Sequence, residues 1–357
     1  DLYHDVDPSP EGAYTIQYVA STILGEETCP ADIDGLCTRN VIDRLNYSTG
    51  EKQRLYDRIV NYNGSSNTHD VDRIDDGHFL VGDIQFDRVF ITDTEADTVE
   101  WTWSAATEFD RSTGGQQGDW THLNDVEVLS NGRYMVNLRN QDQVVFVDRE
   151  TGMLDNLTLG REDDYETLYE QHNPDYIPAE RGGPAVLVAD SENNRIVEYQ
   201  RRNGSWDRTW LWADETVQWP RDADRLPNNN TLITDTHGTR LIEVTPAGTV
   251  VWEHTVPRGV YEAELLATGD ESKTGTAMAA IRGVDSASAV TAYDGTGASL
   301  QRGFLDLIPP LILHGFLYVL PTWISPLSGG LLLVATALSG VWAACEGGRY
   351  TARRLRR

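Results

Sequence analysis

The first 300 residues of this 357-residue chain repeat one pattern of strands and turns. Each copy has an acidic residue, an alternating strand, a tight turn and a second strand, followed by a third strand and an edge strand. The clearest copies are HDVDRIDDGHFLVGD, NDVEVLSNGRYMVNL and RDADRLPNNNTLITD, which begin at His69, Asn124 and Arg221. Fainter copies begin at His4 and Tyr261. The repeated acidic residues are Asp5, Asp70, Asp125, Asp175, Asp222 and Glu262.

These acidic residues are spaced at intervals typical of the four-stranded blades of a β-propeller, roughly 40 to 65 residues with variable loops. Patterns of helical period are scarce before residue 304. We therefore predict an all-β fold, a six-bladed β-propeller of four-stranded antiparallel blades over residues 1–303. Because each carboxylate begins the innermost strand of its blade, we expect it to accept hydrogen bonds from main-chain N–H groups of a neighbouring blade or turn.

The composition changes after residue 303. Residues 325–346 are almost uncharged and long enough for a transmembrane helix, and 347–357 form a basic tail, which predicts a cytoplasmic C-terminus and an extracellular propeller. Prolines interrupt the shorter apolar run in 304–324, which we interpret as an interfacial or re-entrant segment. The sequence begins at Asp1 without a methionine, so we expect a signal peptide or an upstream anchor to precede it.

Cysteines and glycosylation motifs agree with export. Cys29 and Cys37 lie eight residues apart without a histidine or further cysteine nearby, which favours a disulfide over a metal site. Cys345 lies in the apolar segment and is expected to be a buried small residue. Motifs for N-glycosylation fall at predicted turns or loop edges. They begin at Asn46, Asn63, Asn156, Asn203 and Asn229.

The charge balance is strongly acidic. The formal net charge is -27, and the only lysines are Lys52 and Lys273. Such a surface disfavours nucleic acid as a partner. It resembles the surfaces of proteins from extreme halophiles, in which carboxylates keep the protein solvated and salt screens their repulsion. The charge therefore indicates habitat rather than function.

The loops that precede the inner strands carry the candidate site. In an up-and-down blade, the loop entering the first strand and the loop joining the second and third strands lie at the same end. His122 and Asn124 occupy the first kind of loop, and Arg139 occupies the second. Equivalent places in other blades hold further polar side chains, so at least four of the eight histidines are expected to line one channel mouth. These further residues are His4, His69, His172, Arg221, His237 and Tyr261.

Imidazole and guanidinium groups gathered in this way suit a small oxyanion, and an imidazolium would supply a hydrogen-bond donor. Imidazoles are also common metal ligands, but an arginine beside them disfavours a cation. We predict no metal and no cofactor at the mouth.

Four motifs resemble those of the arylsulfate sulfotransferases, six-bladed propeller enzymes of bacterial periplasm and archaeal cell surfaces. They are THDV from Thr68, DWTHLNDV from Asp119, LRNQ from Leu138 and QHNPDYIP from Gln171. The resemblance covers roughly residues 60–270. It implies transfer of a sulfuryl group from an aryl sulfate donor to a phenolic or other hydroxyl acceptor, without a nucleotide donor, through a sulfated histidine.

Residue by residue, the resemblance makes His172 the nucleophile, places His122 and Arg139 on the sulfuryl oxygens, and makes His69 assist protonation of the phenol. It assigns no role to His4 or Arg221. From their positions at the mouth, we predict that five residues contact substrate: His4, Asn124, Arg221, His237 and Tyr261.

Two alternatives remain open at this point. One is a non-catalytic cell-surface propeller that acts as a scaffold or binding module, with protein partners at the membrane or cell surface. The other is a different propeller enzyme, such as a metal-dependent lactonase-like hydrolase. In every case the C-terminal helix is expected to contact membrane lipid.

Overall fold

The computed structural model describes residues 2–8, 12–214, 216–256, 259–267, 274–283, 288–292 and 339. The chain divides into two compact units, Asp1–Ala292 and Tyr293–Arg357. Within the described residues, no helix is both long enough and apolar enough to cross a membrane. Apart from Ser339, the predicted interfacial segment, transmembrane helix and basic tail lie outside the described residues.

Five antiparallel sheets follow one another along the described part of the first unit, each beginning with its innermost strand, and we name them blades 1 to 5. Blade 1 contains β1 (Leu2–Pro8), β2 (Thr15–Leu24), β3 (Cys37–Asn46) and β4 (Glu51–Asn61). Blade 2 contains β5 (Thr68–Arg73), β6 (His78–Asp83), β7 (Arg88–Asp93) and β8 (Thr98–Ser104).

Blade 3 differs at its outer edge, where two short strands take the place of one. It contains β9 (Leu123–Val128), β10 (Tyr134–Leu138), β11 (Gln143–Asp148), β12 (Gly152–Met153) and β13 (Leu159–Gly160). Blade 4 contains β14 (His172–Ile177), β15 (Ala185–Asp190), β16 (Arg195–Arg202) and β17 (Ser205–Asp214). Blade 5 contains β18 (Pro220–Arg225), β19 (Thr231–Asp235), β20 (Arg240–Val244) and β21 (Val250–Thr255).

The fold is thus an all-β propeller, but the described residues contain five blades, built on a four-stranded plan, where the sequence predicts six. Residues 259–265, at the sixth copy of the repeat, form no strand. The strand predicted as third in the sixth blade overlaps β22 (Ser288–Ala292), which pairs in parallel with the outer edge of β17. An edge strand has unpaired N–H and C=O groups, and β22 uses those of blade 4. The helix α1 (Met278–Arg282) precedes it.

Hydrophobic cores lie between neighbouring blades. One cluster, for example, joins Val19 and Ile42 of blade 1 to Val71 and Phe79 of blade 2, and similar clusters join blades 2 and 3, 3 and 4, and 4 and 5. This arrangement follows from the alternation of the strands, which gives each sheet two faces that must both be covered.

Within the described residues, four of the six repeated carboxylates accept a main-chain hydrogen bond from the next inner strand or segment, as the sequence predicts. Asp5 accepts a hydrogen bond from the main-chain N–H of Val71 at 3.2 Å, and Glu262 accepts one from Val6 at 3.0 Å. The other such contacts are Asp70 with Val126 and Asp222 with Ala263. Residues 261–263 therefore lie between the inner strands of blades 5 and 1 although they form no ladder.

The predicted disulfide between Cys29 and Cys37 is present, with the two Cα atoms 5.9 Å apart. It joins the turn after β2 to the first residue of β3. The five predicted glycosylation sites lie at strand ends, in turns or in loops.

Candidate functional site

Every inner strand carries a β-bulge at the end that precedes its carboxylate. In blades 1, 3 and 5, the extra residue without a ladder partner is His4, Asn124 and Arg221, respectively. A bulge redirects side chains and increases the local twist, and bulges occur often beside active sites. The repeated bulges thus turn polar side chains towards one end of the inner strands.

Three residues at the same end of the inner strands have a left-handed backbone conformation. His122, Asn173 and Trp219 have φ values of 46°, 33° and 51°. Left-handed conformations are costly for residues with large side chains, especially for tryptophan. The surrounding contacts must therefore hold these residues firmly.

Aromatic contacts gather the side chains that we call the mouth cluster, which consists of His4, His69, His122, His172, Trp219, Arg221 and Tyr261. The rings of His4 and His69 stack with centroids 4.3 Å apart, and the ring of His69 meets that of His122 at 5.4 Å. The structure therefore brings together four histidines from four different blades.

Tyr261 lies at the centre of the mouth cluster. Its ring contacts the rings of His4, His69 and His172 at centroid distances of 5.2, 5.5 and 6.2 Å. Its hydroxyl oxygen is 3.3 Å from Nδ1 of His69. The guanidinium carbon of Arg221 lies 4.5 Å from the ring centroid of Tyr261 and 4.5 Å from that of Trp219, which are cation–π distances.

Ser191 fixes the tautomer of His172. Its hydroxyl oxygen is 2.8 Å from Nδ1 of His172 and 2.7 Å from the carbonyl oxygen of Pro220. Because a carbonyl only accepts, the single hydroxyl proton points to Pro220, and Nδ1–H of His172 donates to the hydroxyl. This leaves the lone pair of the neutral ring on Nε2. His172 is 1% exposed.

Asp119 fixes His122 in the same tautomer, with 2.7 Å between the carboxylate oxygen and Nδ1. The side chain of His122 is 21% exposed, so this histidine is open to a ligand. A carboxylate at Nδ1 orients the imidazole and stabilises its protonated form.

Burial lowers the pKa of all four histidines. For His4, burial with a contribution from Arg221 lowers the pKa to about 3. Burial also lowers the pKa of His69 and of His172 well below the usual range. The pKa of His122 is lowered as well, because the effects of burial and of the positive charge of Arg139 exceed the opposite effect of the Asp119 carboxylate. The imidazoles are therefore neutral at pH 7 in the protein without ligand.

Arg139 is partly neutralised. Its guanidinium donates to the carboxylate of Glu170 and, at 2.8 Å, to the side-chain oxygen of Asn140. Nε of Arg139 is buried without a hydrogen-bond partner in the described part of the chain. Arg221 stacks against the rings of Trp219 and Tyr261, which places its guanidinium within the mouth cluster.

Asn124 lies in a buried hydrogen-bond network. It is 1% exposed, and its amide contacts Asn137 at 2.6 Å and the carbonyl oxygen of Gln171 at 3.4 Å. It therefore supports the residue before His172. His237 lies at the edge of the cluster, with its ring 4.3 Å from that of Trp219.

Sequence reasoning missed Trp219, Asp119, Ser191 and Glu170. Trp219 stands three residues before Asp222, just as His122 and His172 stand three before their own carboxylates, so the register of the repeat could have revealed it. The other three lie in loops or strands without a repeated pattern. Only the folded chain shows their contacts.

A cavity of about 170 Å³ lies elsewhere, at the opposite end of the inner strands between blades 3 and 4. Phe146, Tyr176 and Trp206 are among the residues that line it. It contains no histidine and is not the candidate site.

No family model and no curated protein matches this sequence. Solved structures of other propeller proteins do match. Streptogramin B lyase is 10% identical with a TM-score of 0.40, and the match covers 55% of this chain and 56% of the lyase. A luciferin-regenerating enzyme is 9% identical, with a TM-score of 0.49 and coverage of 73% and 78%. Regucalcin from Agrobacterium tumefaciens is 11% identical, with a TM-score of 0.44 and coverage of 72% and 75%.

Proposed function

We propose that the protein transfers a sulfuryl group from an aryl sulfate to a phenolic or other hydroxyl acceptor, with His172 as the nucleophile. The observation that supports this most is the convergence of four neutral imidazoles with Arg221 and Tyr261 at one end of the inner strands. A neutral imidazole with its lone pair on a defined nitrogen is a competent nucleophile.

In the first step of the proposed reaction, Nε2 of His172 forms a bond to sulfur while the bond from sulfur to the phenolic oxygen breaks. The electron pair leaves with the phenolate, which takes up a proton from solvent. Burial raises the pKa of Tyr261, so its hydroxyl keeps its proton and can donate a hydrogen bond to the leaving oxygen. In the second step, the acceptor oxygen forms a bond to sulfur while the bond from sulfur to Nε2 of His172 breaks. The electron pair of that bond returns to Nε2, and the proton of the acceptor hydroxyl passes to solvent.

The negative charge on the sulfuryl oxygens needs donors that are already in place. Arg221 supplies a fixed positive charge. Binding of an anion favours the protonated form of His122, because Asp119 already accepts from Nδ1 and stabilises the imidazolium. We keep Arg139 as a weaker contributor because Glu170 shares its charge.

Transfer from 4-nitrophenyl sulfate to phenol in concentrated salt tests this proposal. We expect His172→Ala to abolish release of 4-nitrophenolate and formation of phenyl sulfate. His78→Ala is the matched control, since His78 lies outside the mouth cluster at the first residue of β6 in blade 2, and it should leave transfer unchanged. Equal turnover by His172→Ala and the wild-type protein would refute the role of His172.

A second candidate is a non-catalytic surface propeller. The stacked pair of His4 and His69 and the 1% exposure of His172 favour it, because the side chains themselves occupy much of the mouth. Lack of transfer with every aryl sulfate, together with binding of a surface partner, would support this candidate.

We also propose the finer architecture on the basis of sequence. A sixth blade around residues 261–303, a membrane anchor in 325–346, an extracellular glycosylated propeller and an adaptation to high salt together describe a cell-surface enzyme. The acidic composition and the apolar C-terminal run support these proposals.

A further inference from the structure

Three carboxylates meet at the seam between blade 5 and the irregular segment 259–267. Asp222 and Asp224 lie two residues apart on β18, and therefore on one face of that strand. Glu264 comes from the irregular segment. One oxygen from each of the three lies within 4.8 Å of the others.

Asp224 accepts no hydrogen bond from an N–H or hydroxyl group of the described residues, and the carboxyl group of Asp175 lies beside it as a further acidic neighbour. It is 3% exposed, and both of its carboxylate oxygens are buried without a hydrogen-bond partner within the described ranges. Asp222 differs, because it accepts from the N–H of Ala263 at 3.2 Å and from the hydroxyl of Thr234 at 3.3 Å.

Comparison with another copy of the repeat shows that the residue at the position of Asp224 can have a hydrogen-bond donor. In blade 2, Asp72 occupies the position of Asp224, two residues after the repeated carboxylate, and it accepts from the main-chain N–H of Val128 in blade 3. A buried carboxylate without hydrogen-bond donors is strongly unfavourable unless a proton or a cation neutralises it. The carboxylate of Asp224 faces those of Asp222 and Glu264, and repulsion between like charges makes its burial still less favourable.

We propose that Asp222, Asp224 and Glu264 bind a hard divalent cation of the Ca²⁺ type. All three donors are carboxylate oxygens, which Ca²⁺ and Mg²⁺ prefer, whereas a zinc site would include nitrogen or sulfur. Arg225, the next residue in the chain, donates to Glu198 at 2.8 Å. A cation would replace the missing donors of Asp224.

The proposed ion has a structural task. It joins the inner strand of blade 5 to the segment that carries Tyr261, three residues before Glu264. It would therefore hold Tyr261 in the mouth cluster by fixing the segment on which that residue lies. This proposal does not depend on sulfuryl transfer, and its test uses no activity.

The test is calorimetric titration of the full chain with CaCl₂ at constant ionic strength after removal of divalent ions, together with thermal unfolding. We expect one equivalent of Ca²⁺ to bind to the wild-type protein and to raise its Tm. Asp224→Asn should abolish both effects. In chelator, the variant should unfold at or above the wild-type temperature, because asparagine removes a buried repulsive charge.

Two further variants make the outcome decisive. Glu264→Gln changes a partly exposed residue of the irregular segment and should also abolish Ca²⁺ binding. This variant tests the proposal even if Asp224→Asn fails to fold. His78, Asp93 and Glu100 form another acidic group that could hold an ion, at the surface of blade 2. Asp93→Asn is therefore the matched control and should bind Ca²⁺ as the wild-type protein does.

The proposal is overturned if Ca²⁺ changes neither heat nor Tm in the wild-type protein, because Asp224 is then neutralised by a proton. It is also overturned if binding persists in Asp224→Asn and Glu264→Gln but disappears in Asp93→Asn.

Discussion

Acid should destabilise this protein through its buried histidines, and His4 provides the clearest case. The pKa of His4 falls from 6.5 to about 3 on folding, because burial and the neighbouring Arg221 disfavour the charged ring. Since the folded-state pKa is lowered, the folded state binds fewer protons than the unfolded state below about pH 6.5. The stability that His4 contributes is therefore present above that pH and is lost as the pH falls towards 3.

The size of the effect follows from the two pKa values. At about pH 5, an unfolded His4 is nearly all protonated while the folded one is still neutral, which lowers the free energy of unfolding by about 2 kcal/mol relative to about pH 7.5. His4→Gln removes the titrating group. We expect the loss of stability between these two pH values to be about 2 kcal/mol smaller in the variant than in the wild-type protein.

Urea unfolding at both pH values, at fixed salt, measures this difference. His254→Gln is the control for the substitution itself, since His254 lies exposed on β21, away from the mouth cluster. Identical pH dependence in His4→Gln and the wild-type protein would refute the reasoning, because His4 would then be accessible to protons in the folded state.

Three other predictions concern the inner strands, the disulfide and the mouth. Asp5→Ala leaves the N–H of Val71 without its acceptor, and denaturant titration should show a loss of about 1–3 kcal/mol, with a smaller loss in Asp5→Asn. Replacing Cys29 and Cys37 together by serine opens a loop with a sequence separation of 8, and the same titration should show a loss of about 2–3 kcal/mol. If reduction of the wild-type protein costs nothing, the disulfide has no role in stability. Arg221→Gln should raise KM for an aryl sulfate more than Arg139→Gln does, because the guanidinium of Arg221 lies against the ring of Tyr261 within the mouth cluster; the opposite order in steady-state kinetics would contradict this.

The repeat made much of the fold predictable. Each copy alternates at the strand period, so the strands of the clear copies and the link from Asp5 to Val71 could be inferred from the chain alone. The sixth copy shows the limit of this reasoning. Glu262 retains the repeated carboxylate, which accepts a hydrogen bond from the N–H of Val6. One such hydrogen bond does not require the surrounding residues to pair as a β-strand. Residues 259–265 form no strand.

The candidate site was predictable only in part. Histidines that precede inner strands could be assigned to one end of the propeller because the loops of a blade alternate between its two ends. The sequence does not show which charged side chains at the mouth are already engaged by other side chains. The pairing of Arg139 with Glu170 joins residues 31 positions apart, and the contact of Ser191 with His172 depends on the neighbouring strand of the same blade. Burial, which keeps the imidazoles neutral, is likewise a property of the folded chain.

The most direct test of the proposed chemistry is to detect the covalent intermediate. The protein is mixed with 4-nitrophenyl sulfate without an acceptor, quenched under alkaline conditions, digested and examined by mass spectrometry. Our account predicts one sulfuryl group on the peptide that contains His172, and its loss when phenol is added before the quench. A burst of 4-nitrophenolate with no sulfated peptide, or with the sulfuryl group on a different histidine, would contradict it.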